Sequence, residues 1–174
     1  MRSLATLVPV VLAVLSVAAA GCGGGGGGGG GGAPPPGVLA NTLSVGSPSG
    51  TPGSAVEVPF TLTPAPGQAP AALTFDLLFS EADLEFQGVT TGPAATGAGK
   101  SASANLSRPG NVRVVVAALN NAPVGSGLLC AVSFRIRPGR PPGFSPVSVR
   151  NLVGADGSAA AVPTIAGDGQ VTIQ

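Results

Sequence analysis

Residues 111–137 read NVRVVVAALNNAPVGSGLLCAVSFRIR, two apolar runs that flank a loop rich in Gly, Pro and Asn. This pattern predicts a β-hairpin at the centre of the fold. Because side chains alternate along a strand, the predicted core side carries Val112, Val114, Val116, Ala118, Leu128, Cys130, Val132, Phe134 and Ile136. The predicted outer side carries Val115, Ala117, Leu119, Leu129 and Ala131 beside Ser133, Arg135 and Arg137. A solvated face does not need five apolar side chains, so the question for function is whether something covers them.

The same alternation recurs on both sides of this stretch. Strands are predicted at 43–45, 55–62, 73–79, 84–88, 101–106, 144–153, 159–164 and 170–174, and residues 90–100 are predicted to be a mobile loop. No helical periodicity appears after Gly21. Roughly nine short, half-buried strands favour an all-β fold, a single antiparallel two-sheet sandwich.

The N-terminal residues have the pattern of an export signal. Residues 1–21 place Arg2 before an apolar run that ends in small residues. A membrane-spanning helix is the alternative, but about 17 apolar residues are barely enough to span. Residues 19–22, Ala-Ala-Gly-Cys, resemble the bacterial lipobox, which implies lipidation of Cys22. The chain is then exported and lipid-anchored to a bacterial membrane, expected to be the outer membrane or cell surface, with plain secretion as the alternative.

Residues 22–37 contain ten consecutive glycines and the sequence Ala-Pro-Pro-Pro-Gly. A segment of this composition serves as a linker and does not pack into a core. Residues 38–174 remain for one domain, which is large enough to fold without disulfides or metals.

The composition argues against two classes of function. Eight Lys and Arg residues face seven Asp and Glu residues, and Trp, Tyr and His are absent. Nucleic-acid binding depends on clustered positive charge and often on aromatic stacking, so no nucleic-acid partner is expected. Without histidine, the usual acid–base and nucleophile–base arrangements are missing, and we expect neither enzymatic activity nor a cofactor.

Two smaller features have simple interpretations. Cys130 alternates with core residues and is interpreted as a buried small hydrophobe. Glu81, Asp83 and Glu85 surround a predicted turn and could hold a hard cation through oxygen ligands. Surface turns often carry acidic residues for solvation alone, and that interpretation is favoured.

Three blocks of the sequence together resemble the cohesin domain. These are LSVG at 43–46 with VEVP at 56–59, FDLLF at 75–79 running into LEF at 84–86, and the stretch 111–137. The resemblance extends from Leu43 to the C-terminus and implies a jelly-roll sandwich that binds dockerins in cellulosome-type assemblies.

The resemblance also implies a site, because such cohesins bind dockerin on one sheet face. The matching strands here are 72–79, 113–119 and 128–136. The implied partner-binding residues are Thr74, Asp76, Leu78, Arg113, Val115, Ala117, Leu119, Asn120, Leu129 and Ala131. Where the family often has Asn and Asp, this chain has Ala72 and Thr74, which leaves a flat apolar face bordered by Asp76, Arg113 and Arg135.

The expected function is that of a non-catalytic, surface-tethered module for protein–protein adhesion or scaffolding, in a setting of polysaccharide degradation, with a dockerin-like protein as partner. A carbohydrate-binding module of the envelope is the alternative, with polysaccharide as the ligand. A purely structural envelope domain is a third hypothesis. The missing Trp and Tyr argue against a sugar-stacking platform, since five of the six phenylalanines fall at predicted inward positions and only Phe144 is unplaced.

Overall fold

The computed structural model describes residues 39–174, and the predicted export signal, lipidation site and linker lie outside the described residues. The strands are β1 (Asn41–Val45), β2 (Ser49–Gly50), β3 (Ala55–Thr63), β4 (Ala72–Phe79), β5 (Leu84–Thr91), β6 (Ser101–Arg108), β7 (Asn111–Ala117), β8 (Gly127–Ile136), β9 (Gly143–Ala155), β10 (Ala161–Val162), β11 (Thr164–Ala166) and β12 (Gly169–Ile173). One short helix, α1 (Pro93–Gly97), follows β5.

The strands form two sheets, so the predicted two-sheet sandwich is confirmed. A five-stranded sheet has the order β11-β1-β3-β8-β5, and a seven-stranded sheet has the order β2-β12-β9-β4-β7-β6, with β10 paired to β9. Pairing is antiparallel except for β1 with β11 and β2 with β12. Residues 39–174 form twelve strands where about nine were predicted, because strands of two or three residues are too short to show a periodic pattern.

The core lies between the sheets and is built from the inward residues of each strand. The alternation in β3 is confirmed, since Val58, Phe60 and Leu62 are fully buried. Aromatic contacts join the two sheets: the rings of Phe60 and Phe75 lie 5.3 Å apart, and those of Phe79 and Phe134 lie 5.0 Å apart. Contacts of this kind stabilise packing beyond the area that they bury.

The predicted central hairpin is wrong, because its two strands belong to different sheets. β7 pairs with β4 and β6, whereas β8 pairs with β3 and β5. The connecting loop crosses from one sheet to the other and is fastened by Val124, which is fully buried and donates its amide to Pro70 O at 2.7 Å. Both strands alternate in the same way whichever neighbour they pair with, so periodicity could not distinguish a hairpin from a crossover.

The inner and outer assignments in β8 also need correction. Phe60 pairs with Cys130 and Thr61 with Leu128, so Leu129 is the extra residue of a β-bulge. Leu129 is fully buried, while Leu128, predicted to be in the core, is only half-buried. At the end of β7, Ala118 is exposed rather than buried.

The segment predicted as a mobile loop is ordered structure. β5 extends to Thr91, and α1 then packs beside the start of β8. Gly92 donates its amide to Leu129 O at 2.9 Å, and a Cβ at Gly92 would lie 2.3 Å from Leu128 O. Ala95 of α1 is fully buried in the core cluster. Among the described residues, no helix has the length and apolar character needed to cross a membrane.

Candidate functional site

The outer face of the seven-stranded sheet collects most of the predicted site residues. On β4 the alternation buries Leu73, Phe75 and Leu77, and on β7 it buries Val112, Val114 and Val116. The remaining side chains of both strands therefore point away from the core. The register pairs Thr74 with Val115, Asp76 with Arg113 and Leu78 with Asn111, and Ala117 follows on the same side of β7.

The neighbouring strands widen this face. Val153 of β9 pairs with Thr74, and Ser103 of β6 pairs with Val115, so one row of side chains crosses four strands. Val153 is 55% exposed. One half of this outer face, which we call the apolar half, consists of Ala72, Thr74, Val115, Ala117 and Val153. Its side chains are small or apolar and carry no charge.

A polar cluster adjoins the apolar half. Arg113 donates Nε to Asp76 Oδ1 at 2.7 Å and Nη2 to Asp76 Oδ2 at 2.9 Å, and Asn151 Nδ2 donates to Oδ2 at 2.8 Å. Asp76 is only 3% exposed, whereas more than half of the Arg113 side chain is accessible. Asp76 is thus buried beneath the Arg113 guanidinium group, which is the charge that the face presents to solvent.

The hydrogen bonds of this cluster fix its charge state. The bonds from Arg113, together with that from Asn151, hold the pKa of Asp76 below its ordinary value, and the bond to Asp76 raises the pKa of Arg113. Both groups are therefore charged at neutral pH. A bidentate guanidinium–carboxylate pair is also geometrically specific, so the position of Arg113 is well defined.

Asn151 is a site residue that the sequence did not reveal. β9 shifts register between its pairings of Val153 with Thr74 and of Arg150 with Asp76, and Asn151 lies in this irregularity with φ of 51°. Asn tolerates the left-handed region better than most residues. The distortion allows Asn151 to reach Asp76, but no periodic pattern indicates a bulge of this kind.

The other predicted site residues divide between the two sheets. Leu119 and Asn120 follow β7 directly and lie beside the outer face, with the Leu119 side chain fully exposed. Leu129 and Ala131 belong to β8 of the five-stranded sheet and are 0% and 7% exposed. They are not part of this face, and the predicted patch of five apolar residues is not contiguous. Arg135, predicted at its border, is also on β8.

The acidic turn forms one ion pair and one hydrogen bond to arginines, and it rims a small cleft. Asp83 pairs with Arg140, and Arg137 donates Nε to Glu81 O at 2.5 Å. A cavity of about 260 Å³ is lined by Phe79, Glu81, Leu84, Glu85, Phe86, Leu106 and Arg137. No group of three His, Cys, Asp or Glu side chains suited to a metal ion occurs within residues 39–174.

Cys130 is in the core, as its alternation predicts. Its side chain is fully buried, and burial raises the pKa of the thiol to about 12. A thiol with this pKa is protonated at physiological pH and does not act as a nucleophile.

Comparison with known proteins identifies the fold and the family. The structure resembles the sixth cohesin of Acetivibrio cellulolyticus scaffoldin B, solved with a mutant Cel5 dockerin (TM-score 0.70, 20% identity, 78% of this chain and 100% of that chain). It also resembles CaCohA2 from Clostridium acetobutylicum (0.65, 25%, 78% and 91%) and a non-cellulosomal cohesin from the archaeon Archaeoglobus fulgidus (0.64, 19%, 78% and 92%).

No curated protein matches the chain. The family model for the cohesin domain, however, matches residues 41–173, which is nearly every residue of the sandwich. This chain therefore belongs to the cohesin domain family.

Proposed function

We propose that this chain is a non-catalytic binding module for adhesion or scaffolding, and that it captures a dockerin-like protein on the outer face of the seven-stranded sheet. Family membership supports a dockerin-like partner, as do relatives solved in complex with dockerins. The observation that carries the proposal is the placement of the apolar half directly beside the Asp76–Arg113–Asn151 cluster.

This combination suits a protein partner. Protein interfaces join an apolar centre to directional polar contacts. Arg113 uses Nε and Nη2 on Asp76, which leaves its other N–H groups free to bind a carboxylate or carbonyl group of the partner. The small side chains of the apolar half, with the exposed Val153 at one side, leave room for a helix or strand to approach closely.

The alternatives have less support. Phe144 is the one strongly exposed phenylalanine of the described residues, so the sandwich presents no strip of aromatic rings. The comparisons give no support to a carbohydrate-binding function. The absence of histidine from the sequence also fits a binding role better than a catalytic one.

We propose in addition that the domain is exported and lipid-anchored through Cys22. The support comes from the sequence alone: Arg2, the apolar run 4–20 and the lipobox-like residues 19–22, followed by the glycine linker. Labelling of cells with a radioactive fatty acid tests this proposal. The label should enter the wild-type chain and be absent from Cys22→Ala, and an unlabelled wild-type chain would indicate plain secretion.

Binding is tested by biolayer interferometry with a panel of purified dockerins that includes the Cel5 dockerin. Val153→Asp places a charge on the proposed face, and Ile165→Asp is the matched control because Ile165 is similarly exposed on β11 of the other sheet. We expect Val153→Asp to weaken binding at least about tenfold and the control to change it less than about twofold.

Two outcomes would contradict the proposed function. If the wild-type chain binds no dockerin of the panel, a structural role becomes the better interpretation. If Ile165→Asp weakens binding as much as Val153→Asp, the partner binds the five-stranded sheet or the charge acts nonspecifically.

A further inference from the structure

Lys100, the only lysine in the chain, is buried without a counter-ion. Lys100 is 4% exposed, and no carboxylate among residues 39–174 lies within ion-pair distance of its ammonium group. Burying a cation in this way is costly unless its hydrogen bonds are satisfied. The ammonium group donates to two oxygens of one residue, Asn120 O and Asn120 Oδ1, each at 2.6 Å.

Asn120 is held by further bonds on every polar atom of its side chain. Its Nδ2 donates to Gly99 O at 3.2 Å, and its Oδ1 also accepts from Ala122 N at 3.1 Å. Gly99 has φ of +66°, and a Cβ there would lie 3.0 Å from Asn120 Nδ2. These bonds fasten the loop after β7 to the start of β6. We call this arrangement of Gly99, Lys100 and Asn120 the lysine clamp.

The residue directly before the clamped asparagine is Leu119. Its side chain is fully exposed, and it comes two residues after Ala117, an outward residue of the apolar half. A single exposed leucine is not unusual. Here, however, the exposed leucine lies at the edge of the proposed binding face, and four hydrogen bonds hold its neighbour Asn120. Backbone that is held in this way next to Leu119 loses less conformational entropy when a partner binds.

We propose that Lys100 is a positioning residue for partner binding: the lysine clamp holds Leu119 as a preorganised apolar anchor that inserts into an apolar cleft of the protein partner. This inference rests on the proposed function, because it needs a partner on the adjoining face. Lys100 itself is buried and does not touch the partner. Its effect on affinity is therefore indirect, and the proposal assigns it to the position of Leu119.

A double-mutant cycle on the full chain, with affinity for a bound dockerin of the panel as the readout, tests this coupling. We expect Leu119→Ala to weaken binding about tenfold. Lys100→Met should weaken it about fivefold, because a released loop presents Leu119 correctly for only part of the time. In the Leu119→Ala background, Lys100→Met should change the affinity by less than about twofold.

Variants of Asn120 provide a second route in case Lys100→Met folds poorly. Asn120→Ala removes the acceptor Oδ1, whereas the matched variant Asn120→Asp keeps an acceptor for the ammonium group. Hydrogen exchange should accelerate at residues 118–122 in Lys100→Met and Asn120→Ala, and less in Asn120→Asp, which loses only the Nδ2–Gly99 O bond, with β4 unchanged in all three.

The outcomes separate this inference from the proposed function. If the wild-type chain binds no dockerin, both fail together, whatever the exchange rates show. If the wild-type chain binds and Lys100→Met binds equally well, the positioning role alone is wrong. It is also wrong if Lys100→Met loses the same factor with and without Leu119, because the lysine would then act through general stability.

Discussion

Asp76 and Arg113 face each other across β4 and β7 and form a bidentate ion pair at 2.7 and 2.9 Å on the outer face of the seven-stranded sheet. The carboxylate is buried and the guanidinium group is largely accessible. This asymmetry means that the pair stabilises the sheet through Asp76 while it leaves the Arg113 guanidinium group accessible at the surface of the sheet.

The ion pair predicts a specific acid sensitivity. The pKa of Asp76 is lowered in the folded state, so its contribution to stability is present above the ordinary value of 3.8 and is lost as the pH falls through the folded-state pKa. Asp76→Asn should cost about 2 kcal/mol of unfolding free energy at pH 7. The difference from the wild type should shrink in strongly acidic buffer.

Urea denaturation of the wild type and of Asp76→Asn measures this difference. The range from about pH 2 to about pH 7 covers the ordinary titration of carboxyl groups. Asp156 and Asp168 also have lowered pKa values and remain in both chains, so only the gap between the two curves reports on Asp76. A gap that does not change with pH would show that Asp76 contributes as a neutral hydrogen-bonding group.

Leu119 in the crossover loop and Leu129 in β8 should respond very differently to truncation. Leu129 is fully buried, so Leu129→Ala should leave a cavity and cost about 2–5 kcal/mol of unfolding free energy. Leu119 is fully exposed, and Leu119→Ala should change stability by less than about 0.5 kcal/mol. Thermal and urea unfolding measure the loss of stability in each variant. Equal losses in the two variants would contradict the crossover between the sheets.

Gly92 should tolerate no side chain. A Cβ there would lie 2.3 Å from Leu128 O and 2.8 Å from Leu129 C, and neither backbone atom can move without disturbing β8. Gly92→Ala should therefore lower the unfolding midpoint by several degrees, which corresponds to roughly 1–3 kcal/mol.

Gly97, the last residue of α1, is the matched control for Gly92, which directly precedes that helix. Nothing lies within 4 Å of a Cβ at Gly97, so Gly97→Ala should be neutral or slightly stabilising. Differential scanning calorimetry of both variants makes the comparison. Equal melting temperatures would mean that α1 does not pack on β8 as the structure shows.

Cys130 should be chemically inert in the folded domain. Burial raises the pKa of its thiol to about 12, and no solvent reaches it. In a Cys22→Ala chain, where Cys130 is the only cysteine, a thiol reagent should react slowly in buffer and stoichiometrically in denaturant. Rapid labelling in buffer would show that the core opens near β8.

Much of the fold could be predicted because the alternation of inward and outward side chains depends only on the sequence of each strand. The inward residues of β3, β4 and β7 follow directly from their own sequence, and the outward residues Thr74, Asp76, Arg113 and Val115 follow with them. A strand with one apolar side must bury that side, whichever strand lies next to it. The sequence thus predicted a sandwich and most of the residues on the outer face of β4 and β7.

The sequence-based predictions were wrong where the structure depends on contacts between strands that are distant in the sequence. The run 111–137 is two strands in two sheets, and a bulge at Leu129 turns into the core a side chain that simple alternation places outside. Asn151 and Val153 join the site only because β9 pairs with β4, a contact between residues about 75 positions apart. The lysine clamp likewise joins segments that no local pattern connects.

By itself, the sequence determined the strand periodicity and the near-neutral, histidine-free composition, and it predicts an export-type N-terminus, a linker and one domain. Only the tertiary structure decided which strands share a sheet, which apolar residues are covered and which polar residues meet at Asp76 and at Asn120. The physical reason is that side-chain alternation is set by the backbone of each strand alone, whereas strand pairing, bulges and side-chain networks are set by contacts between distant parts of the chain.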